Sequence, residues 1–136
     1  VRKNMTRSKE QWWAYANSPY TNNYALKKLA RNGCCNGEHT ESIHLENAKK
    51  LLSRFTFVLD QDCLDESLEA FVSKLGLSLK PGKSGAKIPR SKHSTARERI
   101  GNDTLYNFLV ERNRQDIDLY EWSKKISLID CSEVIQ

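Results

Sequence analysis

The sequence predicts an α/β fold, and three observations carry that expectation. Phe55-Thr56-Phe57-Val58-Leu59 is a short β-branched and aromatic run whose apolar residues continue instead of alternating with polar ones. That pattern suits a strand covered on both faces in a parallel sheet. Directly after it, Leu64, Leu68, Phe71, Val72 and Leu75 recur at helical spacing, a one-sided stripe fit to pack back on a sheet. Directly before it, Leu45, Ala48, Leu51 and Leu52 form another apolar face. Helix, strand, helix is therefore the unit around which the chain is organised.

Residues 1–18 are polar and basic, with Trp12, Trp13 and Tyr15 together. A short helix around Trp13 should end at Asn17-Ser18-Pro19, because proline disfavours helix in the residue before it. Adjacent tryptophans either pack against the body of a domain or present a stacking surface for sugars or bases. A second short helix is expected over 20–30, with Lys27, Lys28 and Arg31 in its last turn and Gly33 as a stop. Residues 32–39 read as a loop. A helix over 42–54 precedes the strand. The helix over 64–77 has Asp62 as its expected N-cap, Asp65 and Glu66 at its positive end, and Gly76 in the left-handed position with Leu77 just beyond.

Residues 79–99 form a basic loop, with Pro81, Gly82, Gly85 and Pro89 as breakers. Between 79 and 94 no acid interrupts Lys80, Lys83, Lys87, Arg90, Lys92 and His93. Such a loop is either a solvated connection or an anion-binding surface. One helix is expected from Asn102 to about Lys125, capped by Asn102 or Asp103, with Tyr106, Leu109, Val110, Ile117 and Tyr120 on one face. Asn113 lies on that face and Asp116 near its edge. A buried polar pair there either binds a ligand or satisfies the backbone of a neighbouring loop, the commoner case. The tail, 126–136, has no clear period.

At 136 residues the chain is expected to be a single domain. No run approaches the roughly 18 apolar residues of a membrane span, and no signal-peptide pattern is present. The chain opens on Val1, as a mature form or a fragment would. Its net charge of +5 favours anionic partners such as nucleotides, nucleic acid or sulfated and phosphorylated sugars, or simply makes a soluble basic surface. Cys34, Cys35, Cys63 and Cys131 permit disulfides without requiring them, and their pairing is open. Two glycosylation sequons occur, Asn4-Met5-Thr6 and Asn102-Asp103-Thr104, and they matter only in a secretory compartment.

Gly82-Lys83-Ser84 matches the end of a phosphate-binding P-loop, but the full pattern needs a glycine where Leu77 stands, and the prolines oppose the strand-loop-helix context. Cys34, Cys35, His39 and His44 are metal-ligand types. Adjacent cysteines rarely ligate one zinc, however, and no second Cys-x-x-Cys completes a tetrahedral set. No nucleophile motif is present, so no catalytic and no metal-ligating residue is assigned. What remains is the basic loop, whose Ser84, Ser91, Ser94 and Thr95 add hydroxyl donors to its charge, a combination suited to phosphate or sulfate.

Three stretches, read together, resemble the C-terminal part of a carbohydrate-type sulfotransferase domain, of the Golgi and membrane-associated kind. Asn22-Asn23-Tyr24-Ala25-Leu26-Lys27-Lys28-Leu29-Ala30 is similar to a family segment in which Asn-Tyr precedes a basic residue and Leu-Ala-Gly, with Arg31 here in place of the glycine. Leu45-Glu46-Asn47-Ala48-Lys49-Lys50-Leu51-Leu52, the Phe55–Leu59 run and Leu64-Asp65-Glu66-Ser67-Leu68 resemble the family's helix, Phe-x-Phe-Val-Leu strand, acidic turn and Ser-Leu helix. Asn113-Arg114-Gln115-Asp116-Ile117-Asp118-Leu119-Tyr120 resembles the closing Asn-x-x-Asp-x-x-Leu-Tyr helix. In order and spacing the three cover most of residues 20–125.

The resemblance implies a P-loop-like α/β fold with a central parallel sheet, of which this chain would be the C-terminal portion. It implies transfer of a sulfuryl group from 3′-phosphoadenosine 5′-phosphosulfate to a carbohydrate hydroxyl, in a Golgi-lumenal or membrane-associated setting. The 5′-phosphosulfate loop, the catalytic base and the 3′-phosphate site of the family lie upstream of the matching region and are not visible here. The chain alone is therefore expected to be inactive and to depend on an N-terminal remainder of the domain. Its own contribution would be the late basic loop, with Lys83, Ser84, Lys87, Arg90, Ser94 and Thr95 as cofactor-binding positions. The alternative is a small basic module that binds nucleic acid or an acidic polysaccharide without catalysis. Its affinity should fall steeply with salt.

Overall fold

Ser8 stands just ahead of a run of helix-tolerant side chains and closes a capping box. Its hydroxyl accepts from the Gln11 N–H, and the Gln11 side chain accepts from the Ser8 N–H. Helix α1 (Lys9–Ala16) therefore starts with its first orphan donors satisfied. It ends where Asn17 folds both its N–H and its side-chain amide onto the Trp13 carbonyl, and Pro19 opens a single 3-10 turn, Pro19–Thr21. The computed structural model describes residues 8–30, 42–78 and 95–133. Within them follow α2 (Tyr24–Leu29), α3 (Ser42–Leu52), α4 (Leu64–Lys74), α5 (Ala96–Ile100), α6 (Asp103–Arg112) and α7 (Arg114–Lys124), with a last 3-10 turn at Cys131–Glu133.

The expected parallel sheet is absent: among the described residues there is no strand. Phe55–Leu59 is not helical, but its described backbone bonds are only Phe55 N–H to the Leu52 carbonyl and the Val58 carbonyl from the Leu128 N–H. It is not covered on both faces either, since Phe55 is 57% exposed. A strand exists through its neighbours, and no second extended segment among the described residues lies alongside to close a ladder. The α/β, P-loop-like expectation is corrected to a helical fold.

Two helix expectations are also corrected. The helix expected over 20–30 breaks at Asn22-Asn23, because Asn23 takes a left-handed conformation, φ 45°. Asparagine is one of the few residues that tolerates it. The helix expected over 102–125 is two helices hinged at Asn113, and the extra helix α5 occupies the end of the stretch read as a basic loop. The face named for that long helix is not its buried face. Val110, Ile117 and Tyr120 are exposed, whereas Leu105 and Leu119 are buried.

The core is formed by α2, α3 and α7, which pack on one another. Leu26, Ala48 and Leu119 lie at its centre, with Leu29, Leu45, Leu52 and Trp122 around them. Burial of one such leucine contributes about 1.5–3 kcal/mol. A second layer joins α1 and α5 to α6. There Trp13 packs on Phe108 with ring centroids 5.6 Å apart, and Ala16 and Leu105 are buried. Trp13 thus serves packing between helices, whereas Trp12 lies edge-on to the exposed Tyr15 on its own helix.

Helix α4 stands apart, since among the described residues it has no extensive packing with another helix. It is held by a Cys63–Cys131 disulfide, by Phe71 against Phe57 at 5.2 Å, and by the segment before it. Gly76, at φ 68°, ends it as expected, with the Leu77 N–H returning to the Val72 carbonyl. Its N-cap is Cys63 and not the expected Asp62. The Asp62 N–H is turned onto Asp60, and its carboxylate faces Lys124 at 3.5 Å.

Candidate functional site

A six-residue helix such as α2 has most of its backbone donors at an uncapped N-terminus, and Asn23 makes no side-chain cap there. The cap comes instead from α7. Asp116 accepts the Ala25 N–H at 3.0 Å and the Leu26 N–H at 2.7 Å. Asn23 returns the contact, its side-chain oxygen accepting the Asp116 N–H at 3.1 Å, while its own N–H donates to the Asn113 side-chain oxygen at 3.1 Å. The Asn113 amide closes the loop onto the Leu109 carbonyl at 2.8 Å. Two of the three stretches that carry the sulfotransferase resemblance are thereby locked together by hydrogen bonds across about 90 residues. Asn113 and Asp116 satisfy a neighbouring backbone, the commoner of the two roles open to such a pair.

The third stretch meets α7 one turn further on. Asp60, buried, accepts the Asp62 N–H at 3.0 Å and the Tyr120 hydroxyl at 3.2 Å. Lys124 lies over the Tyr120 ring at 4.6 Å and pairs with Asp62 at 3.5 Å and Glu121 at 3.3 Å. Burial, then the Asp62 and Asp60 carboxylates, push the Tyr120 phenol well above its ordinary range. Partial burial pulls the Lys124 ammonium down, but Glu121 and Asp62 together outweigh it and hold it above its ordinary value. The cluster fixes the chain between α3 and α4. Among the described residues no group of acids, histidines and cysteines is arranged to hold a metal ion.

Of the six cofactor-binding positions expected from the sequence, Lys83, Ser84, Lys87, Arg90 and Ser94 lie outside the described residues, as do Cys34, Cys35 and His39. Thr95 is described, and it caps α5: its hydroxyl oxygen accepts the Glu98 N–H at 3.2 Å, and its own N–H donates to the Glu98 carboxylate at 2.6 Å. Arg97 then ties α5 to α6 through Asp103 at 2.7 Å and stacks over Tyr106. The basic stretch is thus bounded by two well-made helix ends, the Gly76 turn and the Thr95 box.

Two site features were not singled out from sequence. Nothing in the spacing of four cysteines selects Cys63 with Cys131, 68 residues apart. The Asp60–Tyr120 bond joins residues 60 apart and has no local signature. No helix among the described residues is long and apolar enough to cross a membrane. Comparison of the chain with models of known families, with curated proteins and with solved structures finds no match.

Proposed function

We propose that this chain is the C-terminal portion of a carbohydrate-type sulfotransferase, serving 3′-phosphoadenosine 5′-phosphosulfate-dependent sulfation of a glycan together with an upstream remainder. The observation that supports it is the lock between Asn23, Asn113 and Asp116: two of the three motifs that carry the resemblance meet in one network. A disulfide between two buried cysteines supports an oxidising compartment, which suits the Golgi lumen.

The bound nucleotide would supply the sulfuryl group. The chain's own share is binding. Lys83, Lys87 and Arg90 supply cationic N–H donors suited to phosphate, and Ser84, Ser94 and Thr95 supply hydroxyl donors. The Thr95 oxygen accepts a backbone N–H, which leaves its proton for that role. In the family that the chain resembles, the acceptor hydroxyl's base and the donors at the moving sulfuryl group lie upstream of the matching region, and on this reading the remainder supplies them.

Calorimetric titration of 3′-phosphoadenosine 5′-phosphate into this chain and into a form extended upstream tests the proposal. Binding by the extended form, weakened about tenfold by each of Lys83→Ala, Lys87→Ala and Arg90→Ala, is expected. Absence of binding by both forms overturns it. Salt-steep binding of a generic RNA or heparin by the short chain would then favour the basic-module alternative.

A further inference from the structure

We propose that Asn102 is a site of N-linked glycosylation. Asn102-Asp103-Thr104 is an acceptor sequon, and the fold keeps the half-buried Asn102 among exposed neighbours, where an attached glycan extends into solvent. Asn102 is extended, φ −148° and ψ 108°, between the left-handed Gly101 and the first turn of α6. Gly101, Asp103 and Thr104 are exposed, and α5 on the other side contains no buried residue.

The division of labour within the side chain is the second point. Asn102 caps α6 through its oxygen, which accepts the Leu105 N–H at 2.9 Å. The cap leaves Nδ2, the atom that carries a glycan, outside its hydrogen bond. Glycosylation keeps the amide oxygen, so cap and glycan are compatible. In the transfer, Nδ2 forms a bond to the anomeric carbon of an oligosaccharide carried on a polyprenyl pyrophosphate. The carbon–oxygen bond to the pyrophosphate breaks, the lipid pyrophosphate leaves with the electron pair, and the amide loses one proton.

The compartment is the third point, and it comes from a separate part of the molecule. Cys63 and Cys131, both buried, are joined as a disulfide, and such bridges persist where secretory proteins fold. None of this depends on the sulfotransferase proposal, and loss of that proposal leaves the glycosylation site standing.

The test is expression of the full chain behind a secretion signal in cultured animal cells, with Thr6→Ala removing the other sequon. The total cellular pool is then treated with peptide N-glycosidase. A mobility shift of one glycan is expected, together with a gain of about 1 Da at Asn102 in the tryptic peptide 100–112 after the glycan is released. Thr104→Ala should abolish the shift and Thr104→Ser should retain it. Asn102→Asp should abolish the shift while preserving thermal stability, since aspartate caps as well as asparagine. The glycan is added to the nascent chain, so a folding defect in one variant does not mimic its loss. Identical migration before and after treatment, with the 100–112 peptide recovered unmodified, overturns the proposal.

Discussion

The α2–α3–α7 body and the segment 55–78 are joined to the rest of the chain by different means. The body is held from within, by Leu26, Ala48 and Leu119 in its core and by Asp116 capping a helix far away in sequence. The segment carries a comparable apolar stripe on α4, but among the described residues that helix packs extensively on no other. It is joined to the rest by a covalent bridge, one backbone bond to Leu128, the Asp60–Tyr120 contact and the Asp62–Lys124 ion pair, with the Phe57–Phe71 contact holding it together internally. Where burial between helices is sparse, cross-links and polar contacts take its place, as in small domains whose cores are thin.

The largest effect that separates the two regions is removal of the bridge. Cys63→Ser with Cys131→Ser opens a loop of 68 residues, and chain entropy puts the loss at about 4 kcal/mol. Hydrogen exchange should show α4 amides losing protection first, with α3 and α7 retaining more. Uniform loss across all helices would mean that the two regions are one cooperative unit. Next comes Asp116→Ala, which orphans the Ala25 and Leu26 N–H groups while leaving the Asn23 contacts to the residue 116 N–H and to Asn113 in place. A loss of about 2–3 kcal/mol by urea unfolding is expected, with α2 affected most. A loss under about 0.5 kcal/mol would show that water replaces the cap and that the core alone holds α2. Thr95→Ala should cost about 1 kcal/mol, confined to α5, because it removes one partner of an exposed capping box.

The same contrast explains what could be read from sequence. The α3 and α4 stripes, the Gly76 stop and the Asn102 cap are local, decided within a turn or two of helix, and all are present. Phe55-Thr56-Phe57-Val58-Leu59 has strand composition, but pairing is decided by neighbours that a sequence does not show, and among the described residues none is in place. Asn113 falls in register with a continuous helix, so periodicity runs through the break. What stabilises the break is the Asn23 N–H, about 90 residues away. Asp62 is an apt N-cap by type but is drawn off by Asp60 and Lys124. At the candidate site, the polar character of Asn113 and Asp116 was legible and their partner was not. The five loop positions from Lys83 to Ser94 remain read from composition and resemblance.

Tyr120→Phe is the smallest change and addresses the polar contact between the two regions. At neutral pH it removes one hydroxyl donor from Asp60, and its effect should be slight because Tyr120 is 37% exposed. The two proteins also respond differently to alkali. Burial and the Asp62 and Asp60 carboxylates raise the phenol's pKa in the folded chain, whereas in the unfolded chain it titrates near its ordinary value of about 10. The folded state therefore holds its proton longer. The stability this provides is complete below pH about 10 and is lost as pH rises from there through the folded value. Lys124, also raised in the fold, loses its contribution in the same direction, so the variant should flatten the alkaline decline without abolishing it. Melting temperatures of the two proteins, followed from neutral pH to about pH 11, should differ in slope, with the wild type falling faster and losing the slight lead it holds at neutral pH. Parallel curves would assign the decline to Lys124 and the other lysines, and would leave the disulfide and the Leu128–Val58 backbone bond as the effective link between the segment and the rest of the chain.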